Sequence, residues 1–246
     1  MSCRSTSRPE ERAMYPNSDT LDSRALRCTD CYGQRFMREG TFHYHVMPSG
    51  GQNVNLDRPH IINVSERKRS GKMTQHSVAL QWEDHEFMPG DKEIDVEVGD
   101  LVVWNCSDRN APPYEIVGEK EFFASARMVN ECGFSHAFGV PGTYEWGDAH
   151  GSEVGGIVRV EELACESRSD LSHWRAQLSK AALVMIADGT AKPAEVHIVV
   201  GQTVYFAIVT STGMTITDKR LIGIGTVCPP RTSKPASKRK KGRSAA

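Results

Sequence analysis

The sequence lacks any apolar run of about 18 residues, the length needed to cross a bilayer. Its first residues, MSCRSTSRPEERAMYP, also lack the apolar core of a secretory signal. Nor does it carry an excess of one charge, since 31 Asp and Glu oppose 30 Lys and Arg. We therefore expect neither a membrane span nor a protein-wide nucleic-acid surface, which needs clustered, uncompensated Lys and Arg.

One basic segment departs from this balance. The run KPASKRKKGR, from Lys234 to Arg243, is typical of a nuclear-localisation or polyanion-binding patch. Contact with nucleic acid or another polyanion is expected through this run alone. The simpler interpretation is a solvated, disordered basic tail over 229–246, matched by a flexible N-terminus over 1–14.

The sequence also lacks the motifs of common enzymes. It contains no GxSxG elbow, HExxH helix or phosphate-cradling glycine loop, so no catalytic residue is predicted. Of its seven cysteines only Cys28 and Cys31 are spaced as CxxC, which supports neither a four-thiolate zinc site nor a full disulfide framework. We interpret this pair as separate thiols near a turn, with a metal or redox pair as the alternative.

The sequence does contain a repeat. The segment FMREGTFHY, starting at Phe36, matches FGVPGTYEW at Phe138, 102 positions later. The segment IDVEVGDLVVW, starting at Ile94, matches VHIVVGQTVYF at Val196 with the same offset of 102. Because two separate segments share one period, we predict a repeated unit of about 100 residues.

The phase of the repeat sets the predicted domains. Residues 75–163 are predicted to form one complete unit, 15–66 the back half of another and 181–228 its front half. A connector over 164–180 has helical spacing of its apolar residues, and Ser169-Asp170 is the predicted N-cap of this helix. Half a sandwich would expose strand edges, so we expect the two halves to dock as one circularly permuted unit. Exchange of halves between chains, or a fragment of a longer tandem protein, are the alternatives.

Short alternating segments indicate β-strands. Residues 94–98 alternate apolar with acidic side chains, which is typical of a strand with one solvated face. Residues 101–104 are continuously apolar, which predicts a strand buried on both faces. Similar segments follow at intervals marked by turn residues, so we predict an all-β fold, a sandwich or barrel.

Across the middle unit, the order of EVGDLVVWN, FAS, PGTYEW and GGIVRV resembles the plastocyanin-like cupredoxins. The resemblance implies a Greek-key β-sandwich, which in many members holds a type 1 copper ion for electron transfer. Such a site needs two imidazoles and a thiolate around the copper, with a weak axial thioether.

The resemblance also assigns the ligand positions of the middle unit. Tyr114 stands at the first-histidine position, Asp148 at the cysteine position and Val154 nearest the axial methionine, whereas His150 matches the second histidine. In the split unit, Met214 stands at the first-histidine position and the tract HYHVMP contains no cysteine. A thiolate copper site is therefore not expected, and no cofactor is predicted.

Two functions follow from these residues. The first is a cupredoxin-fold binding or scaffolding protein that has lost the type 1 copper site and contacts a protein partner or itself. Its predicted working surface is the loop end formed by residues 105–114 and 147–154. The alternative is a copper-binding protein, for electron transfer or copper handling, with a non-standard ligand set drawn from His150, Asp148, Tyr114 and His136. Cys106 and Cys132 lie outside the ligand positions and are predicted to be buried thiols or a disulfide.

Overall fold

The computed structural model describes residues 20–50, 59–68, 71–119, 123–163 and 166–222. These residues form sixteen β-strands and one α-helix, which confirms the all-β class. No helix in the described part of the chain is long and apolar enough to span a membrane. The predicted N-terminal segment 1–14 and basic tail 229–246, with its run from Lys234 to Arg243, lie outside the described residues.

The elements have the following bounds. The first eight strands are β1 (Cys31–Arg35), β2 (Gly40–Pro48), β3 (His60–Ser65), β4 (Gln75–Glu83), β5 (Glu86–Pro89), β6 (Glu93–Glu97), β7 (Leu101–Cys106) and β8 (Tyr114–Gly118). The last eight are β9 (Cys132–Ala137), β10 (Gly142–Asp148), β11 (Gly155–Glu161), β12 (Ala182–Ala187), β13 (Thr190–Lys192), β14 (Glu195–Val199), β15 (Thr203–Ile208) and β16 (Ile216–Asp218). The helix α1 (Arg168–Leu178) lies between β11 and β12.

The strands form one large sheet and two small ones. The large sheet has the order β13-β12-β15-β9-β1-β7-β4-β5, and the small sheets have the orders β6-β3-β2-β8 and β14-β11-β10-β16. Trp104 on β7 packs against Tyr44 on β2 with ring centroids 5.3 Å apart, and Trp146 on β10 packs against Phe206 on β15 at 5.1 Å. The large sheet thus covers both small sheets. We call β1 to β8 the first sandwich and β9 to β16 the second sandwich.

Strand pairing follows one scheme in both sandwiches. In the first, β4 runs parallel to β7 and β3 parallel to β6, while β2 pairs antiparallel with β3 and β8. In the second, β12 runs parallel to β15 and β11 parallel to β14, while β10 pairs antiparallel with β11 and β16. Antiparallel pairing of β1 with β9 then joins the two sandwiches through the large sheet. We call this pairing the seam.

This pairing does not follow the predicted division of the chain. Strands from residues 75–118 pair with those from 31–65, and β9 to β11 pair with β14, β15 and β16. Residues 75–163 therefore contribute to both sandwiches, and the strands of 15–66 and 181–228 belong to different ones. The physical reason is that the offset between matching segments is 102 residues whichever residue is taken as the start of the repeat unit. The period alone cannot show which halves pair.

Two short segments nevertheless connect the small sheets. Each forms one β-bridge to each sandwich: Asp22–Thr217 and Leu26–Tyr114 in the first segment, Val117–Ala124 and Met128–Met214 in the second. The N-terminal segment therefore does touch β16, although its strands pair elsewhere. These crossings add backbone contacts between the sandwiches beyond those of the seam.

The helix predicted within 164–180 is present as α1, but its N-cap differs from the prediction. Ser167, rather than Ser169 or Asp170, caps the helix, and Asp170 completes a capping box with the Ser167 backbone. No residue of α1 is buried, so its apolar residues do not form a core face. The Trp174 indole donates to the Val200 carbonyl at 3.1 Å and holds the connector on the second sandwich.

Candidate functional site

Asp148, at the cysteine position of the resemblance, ends β10 and is 3% exposed. Its Oδ1 accepts the backbone N–H of Thr215 at 2.9 Å and of His150 at 3.1 Å, and its Oδ2 faces the N–H of Ser152 at 3.4 Å. Burial opposes ionisation, but the hydrogen bonds from Thr215, His150 and Ser152 outweigh it and lower the pKa of Asp148. The carboxylate therefore organises the loop after β10.

His150 lies in the same corner, with its Nε2 3.0 Å from the Thr215 hydroxyl. That hydroxyl donates its hydrogen to the Ala126 carbonyl, which can only accept. It follows that His150 Nε2 is the donor toward Thr215 and carries a proton. In this arrangement the Nε2 lone pair is not offered to a metal.

A cleft of about 420 Å³ opens beside this corner. The loops at this end of the second sandwich supply its walls: Asn130, Asp148, Ser152, Val154, Asp188 and Met214. Val154, nearest the axial-methionine position, is buried and has no donor atom in its side chain. The cleft is thus lined by a mixture of apolar and neutral polar groups, with two carboxylates.

The corresponding position in the first sandwich is apolar. Val46 stands 102 positions before Asp148 on the matching strand and is buried. Tyr114 is 1% exposed, lies opposite Pro48 in the β2–β8 pairing and packs against Phe87 at a centroid distance of 5.1 Å. Burial raises the pKa of Tyr114 well above its usual value. A phenolate ligand is disfavoured there.

His136 lies at the seam, away from Asp148 and His150. Its Nδ1 is 2.8 Å from Oδ1 of Asp30, and both side chains are 1% exposed. The other oxygen of Asp30 accepts the backbone N–H of Arg27 at 2.9 Å. Because Asp30 precedes β1 and His136 belongs to β9, this buried pair joins the two sandwiches.

The cysteines of the described residues are free thiols. Cys106 and Cys132 are buried on different strands and form no disulfide, which selects the first of the two predicted alternatives. Burial raises the pKa of Cys132 to about 12 and also raises the pKa of Cys28 and Cys31. Thiolate chemistry is therefore disfavoured at these positions.

The structure brings Asp148 and His150 together and places Tyr114 and His136 elsewhere. Within the described ranges, no group of three or more His, Cys, Asp or Glu side chains is arranged to hold a metal ion. No family model, curated protein or solved structure matches this chain. Assignment of a function therefore depends on the chain's own residues and geometry.

The predicted working surface is divided between two places. Residues 105–114 run from the end of β7 to the start of β8, whereas residues 147–154 lie at the end of the second sandwich where β15 ends. The pairings β7–β1, β1–β9 and β9–β15 are all antiparallel, so β7 and β15 point in opposite directions. The two loop groups consequently lie at opposite ends of the large sheet.

An apolar strip on the large sheet was not predicted. Leu183 and Met185 on β12 are 46% and 48% exposed, and Leu183 lies directly opposite Tyr205. The hydroxyl end of Tyr205 lies over Gly133 and reaches Gly33, so this side chain crosses the seam. Leu183 and Met185 alternate with buried residues along β12. Because every residue of the segment ALVMIA is apolar, the sequence does not show which of them face the solvent.

Proposed function

We propose that this chain is a binding or scaffolding protein made of two tandem cupredoxin-like units that lack a type 1 copper site. The shared pairing scheme of the two sandwiches supports a duplicated unit. In both sandwiches the segment like PGTYEW precedes the segment like EVGDLVVW, the reverse of the order in the resembling family. Both units are therefore circularly permuted in this proposal. Domains tolerate circular permutation when their chain termini lie close together.

One observation carries the loss of copper. The two residues at the cysteine position are Val46, which has no donor atom, and Asp148, whose oxygens already accept backbone N–H groups. The two residues at the first-histidine position, Tyr114 and Met214, are 1% and 2% exposed. Buried packing and loop hydrogen bonds thus occupy the places that a thiolate copper centre needs.

The binding surface in this proposal is the apolar strip of Leu183, Met185 and Tyr205 on the open face of the large sheet. Leu183 and Met185 are exposed and Tyr205 is half-buried beside them. Apolar side chains grouped on one face are typical of protein contact surfaces. A scaffold needs a rigid frame, and the seam makes the large sheet continuous beneath the strip. A protein partner, or a second copy of the chain, is the ligand class that fits.

Copper loading tests the copper part of the proposal. Purified protein loaded with Cu²⁺ should lack the intense visible band of a copper–thiolate bond. Stoichiometric copper with that band would contradict the proposal. Copper without the band, lost in His150→Ala, would instead support the alternative of a non-standard site, for which the proximity of Asp148 and His150 is the favouring observation.

Sedimentation over a range of protein concentrations tests the strip. If the partner is a second copy, Leu183→Glu should shift the protein toward monomer, because it places a charge in an apolar contact. Val140→Glu, at an exposed residue before β10, is the matched control and should leave association unchanged. A wild-type protein that is monomeric at every concentration would exclude self-association and leave a different protein as the partner.

A further inference from the structure

The outer face of β2 carries three potential metal donors in a row. His43, His45 and Met47 alternate with Tyr44 and Val46, which are buried in the first sandwich. Side chains at i and i+2 of a strand share a face, with their Cα atoms about 6–7 Å apart. Two imidazoles at that separation can bind one metal ion held about 2 Å from each nitrogen.

The ring of His43 is already held in a suitable orientation. Its Nδ1 lies 2.7 Å from Oε2 of Glu119. Glu119 directly follows β8, the strand that pairs with β2. With its hydrogen donated from Nδ1 to this carboxylate, the ring presents the lone pair of Nε2. Metal-binding histidines characteristically make this contact, because it fixes the tautomer and raises the basicity of the free nitrogen.

The outer face around His43 and His45 is partly exposed, and the Glu119 carboxylate lies beside His43. His45 lies opposite Val117 on β8, and Met47 lies opposite Glu115. The side chain of His43 is 37% exposed and that of Glu119 is 52% exposed, so solvent reaches this face. A bound ion would thus keep water ligands while gaining a favourable carboxylate charge nearby.

We propose that His43, through Nε2, and His45 bind one Cu²⁺ ion on the outer face of β2, with water completing the coordination. Imidazole nitrogen suits Cu²⁺, which also binds most tightly in the series of divalent first-row metals. Met47 supplies a thioether on the same face, a donor type that favours copper in its reduced state. The site lies outside the four ligand positions of the resemblance and goes beyond the proposed scaffold function.

The second sandwich provides an internal comparison. The residues 102 positions after His43 and His45 are Glu145 and Gly147, so the matching strand carries no histidine pair. Its outer face forms a broad groove lined by Glu145, Gly147, Glu153 and Lys219. Binding is therefore expected at one ion per chain.

Calorimetric titration of untagged, full-length protein with Cu²⁺ tests the site. We expect one tight ion per chain, and at least about tenfold weaker binding in His43→Ala and in His45→Ala. Glu119→Gln should weaken binding by about tenfold as well, because it removes the carboxylate that holds His43. His197→Ala, at an exposed histidine on β14 outside this face, is the control and should bind as the wild type does.

Electron paramagnetic resonance of the same samples identifies the ligands. The wild-type spectrum should show coupling to imidazole nitrogen that diminishes in each histidine variant, with circular dichroism confirming that the variants are folded. No tight Cu²⁺ binding by the wild type would overturn the proposal, as would tight binding that both variants retain. Loss in His150→Ala alone would place the ion at the Asp148 corner and would likewise overturn it.

Discussion

At the residue scale, the two sandwiches stabilise equivalent turns with different side chains. Asp100 and Gln202 lie 102 positions apart at matching turns and are both buried. Asp100 accepts the N–H of Glu97 at 3.1 Å and pairs with Arg67 at 2.6 Å. Gln202 accepts the N–H of Val199 at 3.1 Å without any charge. The first turn therefore depends on ionisation, whereas the second does not.

Ionisation of Asp100 predicts a specific acid sensitivity. Burial opposes its charge, but hydrogen bonds from Thr74, Glu97, Arg67 and His76 outweigh burial and hold the pKa of Asp100 well below its usual value of 3.8. A carboxylate whose pKa is lower in the folded than in the unfolded protein stabilises the fold at pH values above its unfolded-state pKa. This contribution is lost as the pH falls below about 4 toward the folded-state pKa. The free energy of unfolding should decrease over that range.

Asp100→Asn tests this contribution. At neutral pH the variant should lose about 2–3 kcal/mol of unfolding free energy, because the charge-assisted hydrogen bonds weaken. Its stability should also fall less steeply below pH 4, as measured by urea unfolding across a pH series. Glu153→Gln, an exposed carboxylate, is the control. An unchanged acid dependence in Asp100→Asn would show that other carboxylates determine it.

At the element scale, the close approach of Tyr205 to β9 explains a glycine. A Cβ atom at Gly133 would collide with the hydroxyl and ring of Tyr205. We expect Gly133→Ala to destabilise the protein by about 1–3 kcal/mol, because overpacking forces side chains or backbone to shift. In a Tyr205→Ala background the same substitution should cost far less. Equal costs in both backgrounds, measured by thermal unfolding, would contradict this packing.

Periodicity predicted individual strands better than it predicted their partners. The segments 94–98 and 101–104 correspond closely to β6 (Glu93–Glu97) and β7 (Leu101–Cys106). The prediction that β7 is buried on both faces was wrong, because its residues alternate between buried and half-buried. Proximity of Asp148 and His150 follows from their spacing. The contacts of Asp148 and His150 with Thr215, and of His136 with Asp30, do not follow from spacing, because they join residues far apart in the chain.

At the scale of the whole molecule, the seam makes one structure out of two sandwiches. The buried Asp30–His136 pair lies at one end of the β1–β9 pairing. At the other end, Gln34 donates to the Asn130 carbonyl at 3.1 Å. Gln34 stands 102 positions before His136 in the sequence. Polar contacts at both ends of the β1–β9 pairing should couple the unfolding of the sandwiches.

Asp30→Ala tests that coupling. It leaves His136 and the backbone N–H of Arg27 without their buried partner, at a cost of about 3–5 kcal/mol. Calorimetry should show one transition for the wild type and two for the variant, as the sandwiches unfold separately. Glu86→Ala, at an exposed residue of the edge strand β5, should retain a single transition. Two transitions in the wild type would contradict a coupled seam.

The visible spectrum of copper-loaded Asp148→Cys/Met214→His, recorded beside the wild type, tests most directly whether these positions match the ligands of a type 1 copper site. The double substitution would place a thiolate and an imidazole beside His150 in the second sandwich. We expect an intense copper–thiolate band in the folded variant and none in the wild type. A band in the wild type, or a folded, copper-bound variant without one, would contradict it.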